Sequence, residues 1–233
     1  MPRPDHRAAA IGLGLLSLAA GAVFLVFPQV DLVVSGWFYR PGEGFWLARI
    51  PWVEALRNGI WNLSIATFLL SAAALVLSAA GRPIGGIGAR EAGFIFLLYL
   101  LGPVLAVNGI LKEHWGRARP VDVVEFGGTA AFTPPWPPAD QCASNCSFVS
   151  GEGSAAAALA LAFLILAPAA RRCLPRWGFV LYALAGTTLP AAGLALRLVT
   201  GRHFLSDTVF AVLLVLAIAL VLHRLLLRRP RAR

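Results

Sequence analysis

Three short stretches of this chain carry side chains suited to handling a phosphoryl group. In LKEHWGRARP, residues 111–120, Lys112 and Arg119 stand seven apart and Pro120 ends any helix. In VSGEGS, residues 149–154, Ser150 and Gly151 open an apolar run and Glu152 sits at its lip. In RLVTGRHFLSD, residues 197–207, Arg197, His203 and Asp207 are spaced by six and four. Lysine offers a compact charge, and arginine a planar fork that meets two phosphate oxygens at once. Amides opening a helix near Ser150, Gly151 and Glu152 would add unsatisfied donors, and Gly151 leaves that backbone open to an anion. His203 and Asp207 lie one helical turn apart and share a face. A carboxylate bonded to one imidazole nitrogen fixes the tautomer and frees the other nitrogen to attack phosphorus, giving a phosphohistidine. Lys112, Arg119 and Arg197 would then stabilise the equatorial oxygens.

Each piece alone has a plainer reading. A histidine near a membrane helix end is commonly a hydrogen-bonded structural residue. Lys112 and Arg119 alone would be interfacial anchors, and Ser150-Gly151 a helix cap. What joins them is topology. The chain has 233 residues, 58% hydrophobic and 13% charged, with a mean hydropathy of +0.75. Soluble domains are far more charged, so this is a membrane protein. Its net charge of +9 is accordingly read for orientation, and no nucleic-acid partner is expected.

A spanning helix needs about 20 mostly apolar residues. Six stretches qualify, at roughly 8–27, 59–80, 91–111, 151–169, 178–197 and 204–227. They predict an all-α, polytopic protein forming a single domain over 1–233. The first stretch lacks a small-x-small cleavage site and is expected to be retained. Tryptophans and scattered charges in residues 40–61 suit an interfacial helix. Of the 20 Lys and Arg residues, twelve fall in the odd-numbered connections and eight in the even-numbered ones. The positive-inside rule then puts both termini in the cytoplasm. Five of the eight exceptions, Lys112, Arg117, Arg119, Arg197 and Arg202, crowd two short stretches on the outer face. An anion held there would explain them.

On these residues the chain resembles the type-2 phosphatidic acid phosphatase superfamily, whose motifs read K-x6-RP, PSGH and SR-x5-H-x3-D. The first is complete as Lys112, Arg119 and Pro120. The third is present as Arg197, His203 and Asp207, with Leu196 in place of serine. The second departs, with Val149 for proline and Glu152 for histidine. The stretches FPQVDLVVSGWFY, NGILKEHWGRARPVDVVEFGG, PPADQCASNCSFVSGEGS and TGRHFLSD are similar to the lipid A 4'-phosphatase branch. That resemblance implies a phosphomonoesterase of the bacterial inner membrane, facing the periplasm and needing neither metal nor other cofactor. It implies that Lys112, Arg119, Ser150, Gly151 and Arg197 bind phosphate, with His203 as nucleophile and Asp207 orienting it. Its substrate would be a phosphorylated lipid, lipid A.

Glu152 is where residue-by-residue transfer stops, because the superfamily's histidine there protonates the leaving oxygen. A carboxylate could donate that proton, anchor a sugar hydroxyl or an arginine, or simply cap the helix. His114, two residues after Lys112, is a second candidate acid. The loop at 121–149 is rich in proline and aromatics and is expected to act as a lid, or to rest at the headgroups through Trp136. Cys142 and Cys146 are expected to form a disulfide if that loop faces an oxidising compartment, and otherwise to be free thiols. No second pair or histidine cluster makes them a zinc site. Two rival functions remain. One is a phosphatase of the same superfamily acting on undecaprenyl pyrophosphate or phosphatidylglycerophosphate. The other is a non-catalytic lipid-binding or transport protein, disfavoured because mid-membrane charges and symmetric broken helices are missing.

Overall fold

A backbone crossing hydrocarbon must satisfy its own polar groups, and only helices do so within one segment. The computed structural model, which describes residues 5–227, has six helices long and apolar enough to span a membrane. They are α1 (His6–Val26), α3 (Pro51–Ala79), α4 (Ala89–His114), α5 (Gly151–Cys173), α6 (Arg176–Val199) and α7 (Leu205–Leu227). A short α2 (Gln29–Gly36) follows α1. Of the cationic residues used for orientation, Arg3, Arg228, Arg229, Arg231 and Arg233 lie outside the described residues.

The spans match the expected six, with one correction. The segment expected to lie at the interface divides. Trp46–Arg49 forms a single 3₁₀ turn, while Pro51 starts the membrane helix itself, eight residues before the expected position. Proline is preorganised for a first helical position. The charges that masked this start are paired, because Arg57 bonds Glu54 one turn earlier.

Helix α5 is the most buried span and packs against α3, α4, α6 and α7. Its first turns are Gly151, Gly153, Ser154 and four alanines at 155–158, all buried. Small residues let membrane helices approach closely. A Cβ on Gly193 of α6 would stand 3.1 Å from Ala156 Cβ and 3.2 Å from Ile60 Cγ2, so α3, α5 and α6 meet there. On the opposite side, Phe94, Leu98 and Val215 pack against Ala158 and Ala162.

Helix α4 widens to a π pattern from Leu100 to Leu111 around Pro103. Pro103 has no N–H to give, and its carbonyl accepts from Asn108 Nδ2 at 2.6 Å. Such widening frequently marks functional sites, and here it ends directly at Lys112.

The loop before α5 is a packed wall. Trp115 Nε1 donates to Pro135 O at 2.8 Å, and Cys142 and Cys146 are bonded to each other. Trp136 sits edge-on to Phe210 at 4.5 Å, so it braces α7 instead of anchoring alone at the headgroups. The turn from α6 to α7 depends on Gly201. Its φ is +67°, and a Cβ there would fall 2.3 Å from the Phe45 ring. Phe45 itself is held in a two-residue antiparallel ladder of Tyr39–Arg40 with Gly44–Phe45. Gly201→Ala should therefore destabilise the protein by about 1–3 kcal/mol, read as a lower unfolding temperature in detergent. An unchanged unfolding temperature would contradict this packing.

Candidate active site

The N-terminal ends of α3, α5 and α7 and the C-terminal ends of α4 and α6 meet at one end of the bundle. They enclose a cavity of about 330 Å³. Its lining includes Lys112, Arg119, Gly151, Glu152, Arg197 and His203, so all three sequence stretches contribute to one wall. Arg57 and Arg202 add two more cations, and Glu54 a second carboxylate. Five cations against two carboxylates leave a net positive cavity. Arg197 Nε is buried with no hydrogen-bond partner among the described residues. Leaving a buried donor unpaired costs about 1–3 kcal/mol, which an anion in the cavity would recover.

His203 is almost fully buried at the turn between α6 and α7. Its Nδ1 lies 2.8 Å from the Ser147 carbonyl. A carbonyl only accepts, so Nδ1 carries the proton and Nε2 is the nitrogen left for the cavity. This refines the sequence expectation that Asp207 bonds the ring directly. Asp207 Oδ2 is 3.7 Å from Nδ1 and instead accepts from Ser147 Oγ and from the Phe204 amide at 2.8 Å. It thus holds the residue that holds the ring. Burial lowers the His203 pKa to about 4, while Asp207 opposes the shift. The imidazole is therefore neutral near pH 7.

Glu152 is a clamp. Oε1 accepts from Arg57 Nη1 at 2.7 Å and Oε2 from Arg197 Nη1 at 3.2 Å. Of the roles open to it in the sequence, arginine anchor is the one the contacts match. A Cβ on Gly151 would stand 2.9 Å from Asn108 Oδ1, so the glycine lets α5 approach α4 closely. Arg119 Nη2 donates to Asn145 O at 2.7 Å, and burial, with Arg202 beside it, lowers its pKa.

Two expected site residues fall elsewhere. Ser150 Oγ caps α5 by accepting from Gly153 N at 3.1 Å, and Ser150 is buried away from the cavity lining. A serine preceding a helix is drawn to its free amides. His114 is exposed and does not line the cavity. Two residues from Lys112 on one helix, it points to another side. The sequence reading missed Arg57, Glu54 and Asn108 as cavity residues. Arg57 gave a signal, as a further cation among the outer-face exceptions, whereas Asn108 gave none.

Residues 92–231 match the PAP2 superfamily. The chain belongs to the PAP2 superfamily. It is 32% identical to a lipid A 4'-phosphatase of Francisella tularensis subsp. novicida (strain U112), over 88% of this chain and 90% of that one. It is 35% identical to a lipid A 4'-phosphatase of Rhizobium etli, over 80% of this chain and 75% of that one. Its fold is similar to a transmembrane PAP2 type phosphatidylglycerolphosphate phosphatase from Bacillus subtilis, with a TM-score of 0.59 at 19% identity. That likeness covers 98% of this chain and 99% of the other. The PAP2 match includes every cavity cation except Arg57.

Three outcomes follow from this geometry. Glu152→Gln should lower kcat/KM by about 5- to 30-fold, a loss of roughly 1–2 kcal/mol in holding the arginines, without removing any limb of the pH–rate profile. Loss of an alkaline limb would instead make Glu152 the acid. His114→Ala should leave kcat/KM within about twofold. The acid limb of kcat/KM should fall near pH 4, where His203 gains its proton, and a limb near 6.5 would mean an unperturbed imidazole.

Proposed function

We propose that this protein removes the 4'-phosphate of lipid A, on the periplasmic face of a bacterial inner membrane, through a phosphohistidine at His203. It is a multi-pass membrane lipid phosphatase, a phosphoric monoester hydrolase. The observation that carries the mechanism is a neutral His203 facing a cavity that gathers Lys112, Arg119 and Arg197. The substrate follows the lipid A 4'-phosphatase names of the relatives, which span most of this chain. The orientation follows the positive-inside bias, which puts the cavity end opposite both termini.

In the first step Nε2 of His203 attacks phosphorus as the bond to the sugar oxygen breaks. Nδ1–H stays on the Ser147 carbonyl, so the ring carries a positive charge in the intermediate. Lys112, Arg119 and Arg197 hold the equatorial oxygens as charge shifts to the leaving oxygen. With Glu152 engaged by two arginines, water entering past the exposed Glu54 and Arg202 supplies the leaving group's proton. In the second step the hydroxide left by that proton transfer attacks phosphorus, the P–N bond breaks with its electrons returning to Nε2, and inorganic phosphate leaves. Loop 121–149 acts as a lid, reaching the cavity through Asn145.

The test is purified protein with defined lipid A, and fragmentation of the product by mass spectrometry. The expected product lacks the 4'-phosphate alone, forms equally in EDTA, and is abolished by His203→Ala. A product that keeps the 4'-phosphate contradicts the substrate assignment, and an active His203→Ala contradicts the nucleophile.

A further inference from the structure

The PAP2 match begins at residue 92, yet the deepest polar network of the molecule reaches back to Asp31 on α2. The Arg117 side chain is 1% exposed, and those of Asp31 and Asp207 are 0% exposed. Arg117 Nε donates to Thr133 O at 2.9 Å, and Nη2 to Asp31 Oδ2 at 2.8 Å. Nη1 donates to Asp207 Oδ1 at 2.6 Å and to Ser206 Oγ at 2.7 Å. Asp31 Oδ1 accepts the Ser206 amide at 2.8 Å, and Oδ2 its hydroxyl. The Phe204 ring covers the guanidinium at 4.4 Å. None of Asp31, Arg117 and Ser206 lines the cavity.

Stability alone is a poor reason for such a cluster. Each buried ion costs several kcal/mol of desolvation, and a well-packed apolar substitute is often as stable. The arrangement does something apolar packing would not. Burial raises the Asp31 pKa while Arg117 opposes the rise, and both its oxygens only accept, from Arg117 Nη2 and from the Ser206 amide and hydroxyl, as an ionised carboxylate does. Two carboxylates then share one guanidinium, so the cluster keeps a net negative charge, with Asp207 Oδ2 3.7 Å from the His203 ring. Asp207 fixes Ser147, whose carbonyl fixes the ring. That ring becomes cationic when Nε2 bonds phosphorus. If Asp31 were uncharged, Arg117 and Asp207 would cancel, and the field favouring a cationic ring would be lost.

We infer that Asp31, acting through Arg117, is a positioning residue for His203. It holds the guanidinium so that Asp207 keeps both its orientation and its net charge beside the ring. The inference rests on His203 being the nucleophile of the proposed phosphatase.

The experiment is steady-state kinetics of the full purified chain on lipid A, with wild type and His203→Ala in the same series. Asp31→Asn keeps the shape of the side chain and removes its charge. Its kcat should fall about 10- to 100-fold, the size usual for groups that hold a reacting residue from behind. KM and inhibition by inorganic phosphate should stay within about twofold, because Lys112, Arg119 and Arg197 are untouched. Ser206→Ala is the milder variant and should lower kcat about 3- to 10-fold at unchanged KM. If Asp31→Asn does not fold, Ser206→Ala decides alone. Full kcat in the folded variant, or a rise in KM that accounts for the whole loss, overturns the inference while leaving the phosphatase reading intact. An inactive wild type or an active His203→Ala overturns both.

Discussion

Arg117, buried between Asp31 and Asp207, is the contact on which the active end of the bundle depends. It joins α2, the loop before α5 and the start of α7, three segments far apart in sequence. Removing one partner from a buried ion pair typically costs about 3–5 kcal/mol, because the other charge is stranded. The segments therefore stand or fall together. Through Asp207 the same contact reaches Ser147 and His203, so the position of His203 depends on packing more than 170 residues earlier in the chain.

The cavity itself is organised by a second carboxylate. Glu152 spans Arg57 and Arg197, which keeps two like charges apart at defined places. Arginines left unclamped would repel and reorient, and their forks would meet phosphate oxygens less well. The superfamily pattern has histidine at this position. In the proposed mechanism, an anchor at this position leaves protonation of the leaving oxygen to the water of an open cavity, with His203 as the attacking group. The carboxylate also ties α5 to α3, where Arg57 lines the cavity beside Glu54.

Much of this was legible in the sequence, for identifiable reasons. Six apolar runs can only become helices in hydrocarbon, so their number and order followed from length and hydropathy. Lys112, Arg119 and Arg197 were legible as charges set against the topological bias, and His203 by its fixed spacing from Arg197 and Asp207. The N-terminus of α3 was not, because Glu54 and Arg57 read as surface charges until their pairing is seen. Asp31 was not singled out within FPQVDLVVSGWFY, since its meaning lies in contacts with residues 117 and 206. Ser150 and His114 were placed by motif and proximity, whereas capping chemistry and helix phase decide where they point.

A covalent phosphoryl group on His203 is the centre of the account. The most direct measurement is rapid mixing of enzyme with phosphate-labelled lipid A, quenching in alkaline detergent that preserves phosphoramidates, and mapping of the labelled peptide. Label is expected on the peptide containing His203, appearing before free phosphate and disappearing as phosphate accumulates. Label on another residue, or phosphate release with no labelled enzyme at any time, would contradict it.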